Sequence, residues 1–248
     1  MHPILFQFGP LAVHSYGFFV AAGFLTAGFL AARRCHEYGI NQERLLDLLM
    51  IILVSGLAGA RILHILLNLD YFMQRPLEIL FIHKGGLAIH GGIIAGVAAG
   101  TIFVRRKGLP LGKTYDLIIQ YLPLAESIGR IGCLLNGCCY GRVTRYMGVI
   151  FPGDTLPRHP TQIYMSLGLI VIFVILRAFS QRAHREGDIF FLYFIFYGAL
   201  RFLLDFLRDD MPAAFLSLNA SQIISAALIM ISIFAMLFPR KRGLKKQV

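Results

Sequence analysis

Three arginines, Arg61, Arg130 and Arg201, stand inside runs of residues that otherwise read as membrane-spanning. A guanidinium in hydrocarbon needs a partner, a polar cavity or an anionic ligand. Its planar fork suits a phosphate through two parallel hydrogen bonds, so several arginines facing one cavity point to an anionic headgroup. Glu126 lies four residues before Arg130, and Asp205 four after Arg201, so each pair can share a helical face. Such pairs also serve as plain structural ion pairs that lower the cost of burial. Arg61 has no acid three or four positions away.

His90 is flanked by Gly85-Gly86 and Gly91-Gly92. A side chain that titrates near neutrality can take or relay a proton, although a packed interior histidine reads the same way. The paired glycines suggest exposed backbone near a headgroup or substrate. His14 and His64 are less informative, and His159, framed by Pro157 and Pro160, reads as structural. Cys133, Cys138 and Cys139 cluster, whereas Cys35 reads as an ordinary thiol. With His159 the three could supply four metal ligands, but adjacent Cys138-Cys139 is poor zinc spacing and no C-x-x-C pair exists. A disulfide from Cys133 to one of the pair, a catalytic thiol and simple packing all remain open.

The elements that must position these groups come from seven apolar blocks: Tyr16–Ala32, Leu48–Leu67, Leu87–Val104, Tyr115–Leu135, Ile163–Phe179, Ile189–Leu207 and Ile223–Phe238. Each approaches the roughly 20 residues that a helix needs to cross the hydrocarbon. The 248 residues are 57% hydrophobic and only 15% charged, against about one quarter charged in ordinary soluble domains. The expected fold is an all-α integral membrane protein of seven transmembrane helices forming a single domain over residues 1–248. The first block lacks a basic start and is followed by Arg33-Arg34, so it reads as a retained helix rather than a cleaved signal.

The net charge of +11 is largely topological. With seven spans, fifteen basic residues fall on one side: Arg33, Arg34, Arg44, Arg105, Arg106, Lys107, Lys113, Arg177, Arg182, Arg185, Arg240, Lys241, Arg242, Lys245 and Lys246. Six fall on the other: Arg75, Lys84, Arg142, Arg145, Arg158 and Arg208. The positive-inside rule then makes the N-terminus extracytoplasmic and the C-terminus cytoplasmic, with residues 239–248 a basic cytoplasmic tail. Basic juxtamembrane segments also meet anionic membrane lipids. No recognisable nucleic-acid module accompanies the charge, so nucleic acid is not an expected partner.

This topology gathers His90, Arg130, His159 and Arg201 towards the extracytoplasmic leaflet, with residues 136–162 as a small extracytoplasmic connection between helices four and five. Gly92, Gly96 and Gly100 form a stripe that lets a neighbouring helix approach closely. At this level three functions fit. One is an enzyme acting on an outer-leaflet lipid. Another is a membrane transporter of an anionic lipid or solute, which would need a polar route to both faces. The third is a thiol oxidoreductase built on Cys138-Cys139.

Val13-His14-Ser15-Tyr16-Gly17, GGLAIHGG at 85–92, GRIGCLLNGCCYG at 129–141, HPTQIY at 159–164 and YGALRFLLDFLR at 197–208 follow in order along the chain. This ordered set resembles the prolipoprotein diacylglyceryl transferases. The resemblance implies a multi-pass enzyme of the bacterial cytoplasmic (inner) membrane whose active-site cavity faces the extracytoplasmic leaflet. It implies transfer of the diacylglyceryl group of phosphatidylglycerol to the lipobox cysteine of a preprolipoprotein. A thioether forms and glycerol 1-phosphate leaves, as the first step of lipoprotein maturation.

By the same resemblance His90, Arg130, Arg201 and Tyr197 are the catalytic residues. Arg130, Arg201, Asn136, Tyr16, Arg61 and Arg208 are expected to bind substrate, Arg61 with cavity support as its other reading. No metal or organic cofactor is called for. The chain departs from the family pattern at Cys133, where many members have asparagine, and at Cys138, where many have glutamate. Met165 likewise stands where glutamate is common. The cysteine version resembles a variant branch of the family and leaves open a different internal hydrogen-bond network, a redox-sensitive fold or a divergent substrate.

Overall fold

A computed structural model describes residues 1–9, 11–81, 85–208, 213–215 and 218–238. The basic tail expected over 239–248 therefore lies outside the described residues. The chain divides into two compact units, one formed by residues 1–31 with 115–248 and the other by residues 32–114.

The first unit starts with an antiparallel hairpin of β1 (Ile4–Phe8) and β2 (Leu11–His14). It feeds directly into α1 (Ser15–Arg34), where the Ser15 N–H reaches back to the Pro3 carbonyl at 2.9 Å. An all-α expectation misses this hairpin, because apolar residues so close to a long apolar helix carry no separate periodicity. A short hairpin of β3 (Ala213–Phe215) and β4 (Leu218–Asn219) lies later in the same unit.

The second unit holds α2 (Gln42–Leu67), the short α3 (Leu69–Gln74) and α4 (Ile89–Arg106). Asn41 caps α2 by accepting the Glu43 N–H at 2.9 Å. α2 and α4 meet backbone to backbone. A Cβ on Gly59 would fall 2.5 Å from the Gly91 carbonyl oxygen, and one on Gly92 would fall 3.1 Å from that of Gly56. Only glycines permit this approach. Gly91 and Gly92 are thus explained by helix packing rather than by backbone left open for a substrate.

Helix α5 (Leu111–Ile119) joins the two units in sequence. The first unit continues through α6 (Leu122–Asn136), α7 (Thr161–Phe179), α8 (Asp188–Asp205) and α9 (Ala220–Leu237). All seven apolar blocks are helical, but the fourth is broken between α5 and α6. Pro123 in the first turn of α6 explains the break: it has no N–H, and its ring excludes the carbonyl of a preceding turn. The expected uninterrupted helix over Tyr115–Leu135 is corrected accordingly.

Among the described residues, four helical segments are long and apolar enough to cross a membrane: Ser15–Tyr38, Gln42–Leu67, Thr161–Phe179 and Ala220–Leu237. Leu53 and Val54 on α2, Leu167 and Val171 on α7, and Met230 and Ile231 on α9 face outwards. Helices satisfy their own backbone, so apolar outward faces suit them to hydrocarbon. Inside the first unit, Ile172 and Leu176 of α7 pack with Ile189 and Tyr193 of α8, each pair one turn apart. Asp116 fixes the start of α8 by accepting the N–H groups of Gly187 at 2.6 Å and Phe190 at 2.9 Å. That is a helix N-terminus held by a carboxylate.

Candidate functional site

Within the first unit, three helices converge on one small cleft lined by Arg130 of α6, Thr161, Gln162 and Met165 of α7, Arg201 and Leu204 of α8, Arg208 and Cys139. Arg201, Leu204 and Arg208 are spaced to lie along one side of α8 and its continuation, which is why both arginines reach the same space. The structure thus brings together three of the arginines expected to bind substrate.

Arg201 is aimed rather than merely buried. Its Nε donates to Ser221 Oγ at 3.1 Å and lies 3.3 Å from Asp205 Oδ1. The carboxylate of Asp205 is buried and accepts no well-aligned hydrogen bond among the described residues. Its contact with Arg201 is therefore electrostatic, while Ser221 supplies direction. The expected Arg201–Asp205 pair forms. Glu126 instead turns to α8, where Tyr193 Oη donates to its Oε1 at 3.0 Å, leaving Oε2 buried without a hydrogen-bond partner. No ion pair to Arg130 closes among the described residues, which leaves the Arg130 fork towards the cleft. Tyr197, one turn before Arg201, stacks on Tyr193 with ring centroids 5.4 Å apart.

The loop that closes the cleft is knitted to α7. Gly137, at φ 72°, ends α6 in the left-handed conformation; its N–H bonds the Leu134 carbonyl at 3.1 Å and that of Cys138 bonds Cys133 at 3.2 Å. This paired closure is a Schellman motif. Thr161 Oγ1 donates to the Cys139 carbonyl at 2.6 Å, and Gln162 Nε2 to the Cys138 carbonyl at 2.5 Å. Gly141 N–H donates to His159 at 2.8 Å, and a Cβ there would fall 2.9 Å from Thr161 Cγ2. The His159 backbone thus fastens the loop, and its ring Nδ1 lies 3.4 Å from Tyr164 Oη.

Tyr16 opens α1 beside α6: a Cβ on Gly132 would stand 3.0 Å from the Tyr16 Cα. Its phenol lies within electrostatic reach of Arg130 and the three cysteines. All four cysteines are free thiols, and the Sγ atoms of Cys133, Cys138 and Cys139 lie within 4.8 Å of one another. The clustering expected from sequence is present, and the left-handed turn at Gly137 and Cys139 is what draws the sulfurs together.

His90 and Arg61 belong to the second unit. His90 is exposed in the first turn of α4. Arg61 is 7% exposed, and its donors are spent on backbone: Nε on Ile79 at 3.0 Å, Nη1 on Gly85 at 2.9 Å and Gly86 at 3.0 Å, and Nη2 on Glu78. The guanidinium also sits 5.3 Å from the Phe72 ring. Of its two expected roles, cavity support is the one this geometry favours: Arg61 fastens the segment before α4. Gly85 and Gly86 have φ of 86° and 74°, so their pairing supplies left-handed backbone whose carbonyls face Arg61.

Sequence reasoning passed over Ser221, Tyr193, Thr161 and Gln162. The last two lie in the HPTQIY segment and were legible as motif members, whereas Ser221 carries no local signal.

Apolar helices of span length, together with an arginine-walled cleft, define a helical membrane protein with a site able to take an anionic group. Comparison with known proteins gives the family. Residues 3–238 match the model of the prolipoprotein diacylglyceryl transferases, and the chain belongs to that family. It is 34% identical to the phosphatidylglycerol–prolipoprotein diacylglyceryl transferase of Clostridium tetani over 98% of this chain and 99% of that one. With the protein of the same name from Bacillus velezensis it shares 32% identity over 98% and 94% of the two chains. For that of Geobacter sulfurreducens the identity is 34% over 88% and 85%.

Proposed function

We propose that the chain transfers the diacylglyceryl group of phosphatidylglycerol to the lipobox cysteine of a preprolipoprotein, the first step of lipoprotein maturation. The observation that carries the chemistry is the convergence of Arg130, Arg201 and Arg208 on one cleft. The cysteine S–H is deprotonated, and the thiolate attacks the glycerol carbon that bears the phosphate ester. A C–S bond forms as the C–O bond breaks, and glycerol 1-phosphate departs with the electron pair. No phosphoryl-enzyme intermediate is needed.

Arg130 and Arg201 clamp the phosphate and meet the charge that grows on the leaving oxygen, where one well-placed donor contributes about 2.7–4 kcal/mol. Tyr197 donates from the helix face that carries Arg201, and Arg208, Asn136 and Tyr16 complete the binding surface. His90, by its match to the family histidine, takes or relays the thiol proton. The seven helical blocks cross the inner membrane with the N-terminus outside and the tail at 239–248 inside. Residues 136–162 then lie on the extracytoplasmic side, and the cavity faces that leaflet; the skewed placement of Lys and Arg supports this orientation.

The test is release of glycerol 1-phosphate from headgroup-labelled phosphatidylglycerol. Release should require a lipobox peptide with a free cysteine and fail with its serine counterpart. Release independent of the peptide thiol would count against the transfer.

A further inference from the structure

Cys133, Cys138 and Cys139 present three sulfurs, all within 4.8 Å of one another, beside the arginine cleft. Those of Cys138 and Cys139 are 3.6 Å apart. Two left-handed residues create the cluster. Gly137 folds the chain back over the end of α6, and Cys139, at φ 65°, brings its own sulfur round to the others. The hydrogen bonds from Thr161 and Gln162 to the Cys139 and Cys138 carbonyls hold the turn in that shape.

Thiolates are the ligands of soft and borderline metal ions. Zn–S bonds of about 2.3 Å place tetrahedral sulfurs about 3.8 Å apart, so small side-chain rotations bring this trio into register. Three thiolates and a divalent ion carry one net negative charge, and Arg130 is the cation that interacts with both Cys133 and Cys138. A set of three protein ligands leaves the fourth tetrahedral position open, as in catalytic rather than closed structural zinc sites. Cys139 itself lines the cleft with Arg130 and Arg201.

We propose that Cys133, Cys138 and Cys139 bind a thiophilic divalent ion, zinc by best fit, whose open position takes the acceptor cysteine as its thiolate. This inference rests on the transfer reaction proposed above. On coordination the acceptor S–H loses its proton, since a metal-bound thiol is deprotonated, and His90 takes that proton and passes it to water. The bound sulfur then forms the C–S bond as the C–O bond to phosphate breaks, beside the arginines that receive the leaving group.

The experiment loads the reduced, detergent-purified full chain with Co(II) as a spectroscopic probe for zinc. The expected result is one ion per chain with sulfur-to-cobalt charge-transfer bands. These should be retained in Cys35→Ser and lost in the Cys133→Ser/Cys138→Ser/Cys139→Ser protein. Adding a lipobox peptide should intensify the bands, and its Cys→Ser counterpart should leave them unchanged. Absence of the bands from the unaltered chain would overturn the site, with no dependence on how the triple variant folds.

Zinc-loaded and chelated protein are assayed for transfer in parallel. Equal transfer by both, or bands that ignore the peptide, would overturn the role in thiol activation while leaving the transfer reaction standing. Bands that respond to the peptide in a protein that transfers no lipid would uphold metal and thiol binding and overturn the reaction itself.

Discussion

Half-buried Arg201 and buried Asp205 form an ion pair one helical turn apart, at 3.3 Å, with Ser221 taking the Arg201 Nε hydrogen bond at 3.1 Å. The pair and the hydroxyl together leave the terminal nitrogens of the fork for the cleft. Asp205→Asn keeps the shape but removes the charge that holds Arg201. It should lower kcat/KM roughly tenfold, and Ser221→Ala roughly two- to tenfold, the worth of one hydrogen bond. Initial rates against phosphatidylglycerol concentration in mixed micelles check both. Wild-type values in Asp205→Asn would mean that Arg201 needs no such anchoring.

Arg61 should behave as a fastener. Arg61→Ala strips hydrogen bonds from the carbonyls of Glu78, Ile79, Gly85 and Gly86. Each buried group left without a partner costs roughly 1–3 kcal/mol. Thermal unfolding in detergent should fall by several degrees, with KM for phosphatidylglycerol in the folded fraction close to wild type. Unchanged stability with a large rise in KM would assign Arg61 to the lipid instead.

Gly141 admits no side chain, because a Cβ would press on the Leu207 carbonyl and on Thr161 and His159. Gly141→Ala forces the loop that carries Cys139 away from α7, and overpacking of this kind costs roughly 1–3 kcal/mol. Activity should drop at least tenfold, while Gly17→Ala, in open space and without a left-handed backbone, gives a control. Limited proteolysis of residues 139–160 should become faster only in Gly141→Ala, and equal rates in the two variants would contradict the packing argument.

Much of this architecture was legible because apolar blocks of span length and the 3.6-residue period are local properties. The seven helical blocks, the Arg201–Asp205 pair and the packing stripe of Gly92, Gly96 and Gly100 on α4 follow from spacing alone, whereas the packing role of Gly91 does not. What escaped depends on contacts distant in sequence or on backbone handedness. Pro123 divides the fourth block, and the N-terminal hairpin hides beside a long apolar run. Glu126 chooses Tyr193 across a helix interface over Arg130 on its own face. The three thiols cluster as their spacing suggests, but adjacent cysteines do not announce the φ of 72° at Gly137 and of 65° at Cys139 that draws them together. Arg61 was conspicuous as a buried charge, yet its carbonyl partners lie in the connection before α4, where no acid advertises them.

The central claim is that Arg130 and Arg201 clamp the phosphate of a lipid whose diacylglyceryl group goes to a cysteine. Its most direct test is the mass of a lipobox peptide incubated with phosphatidylglycerol and the purified chain. The wild-type protein should add one diacylglyceryl group to the peptide cysteine, and Arg130→Ala and Arg201→Ala should each lower that rate by about 10²–10³. Product formed at the wild-type rate by both variants would contradict the clamp, and no product from verified, folded wild-type protein would contradict the transfer itself.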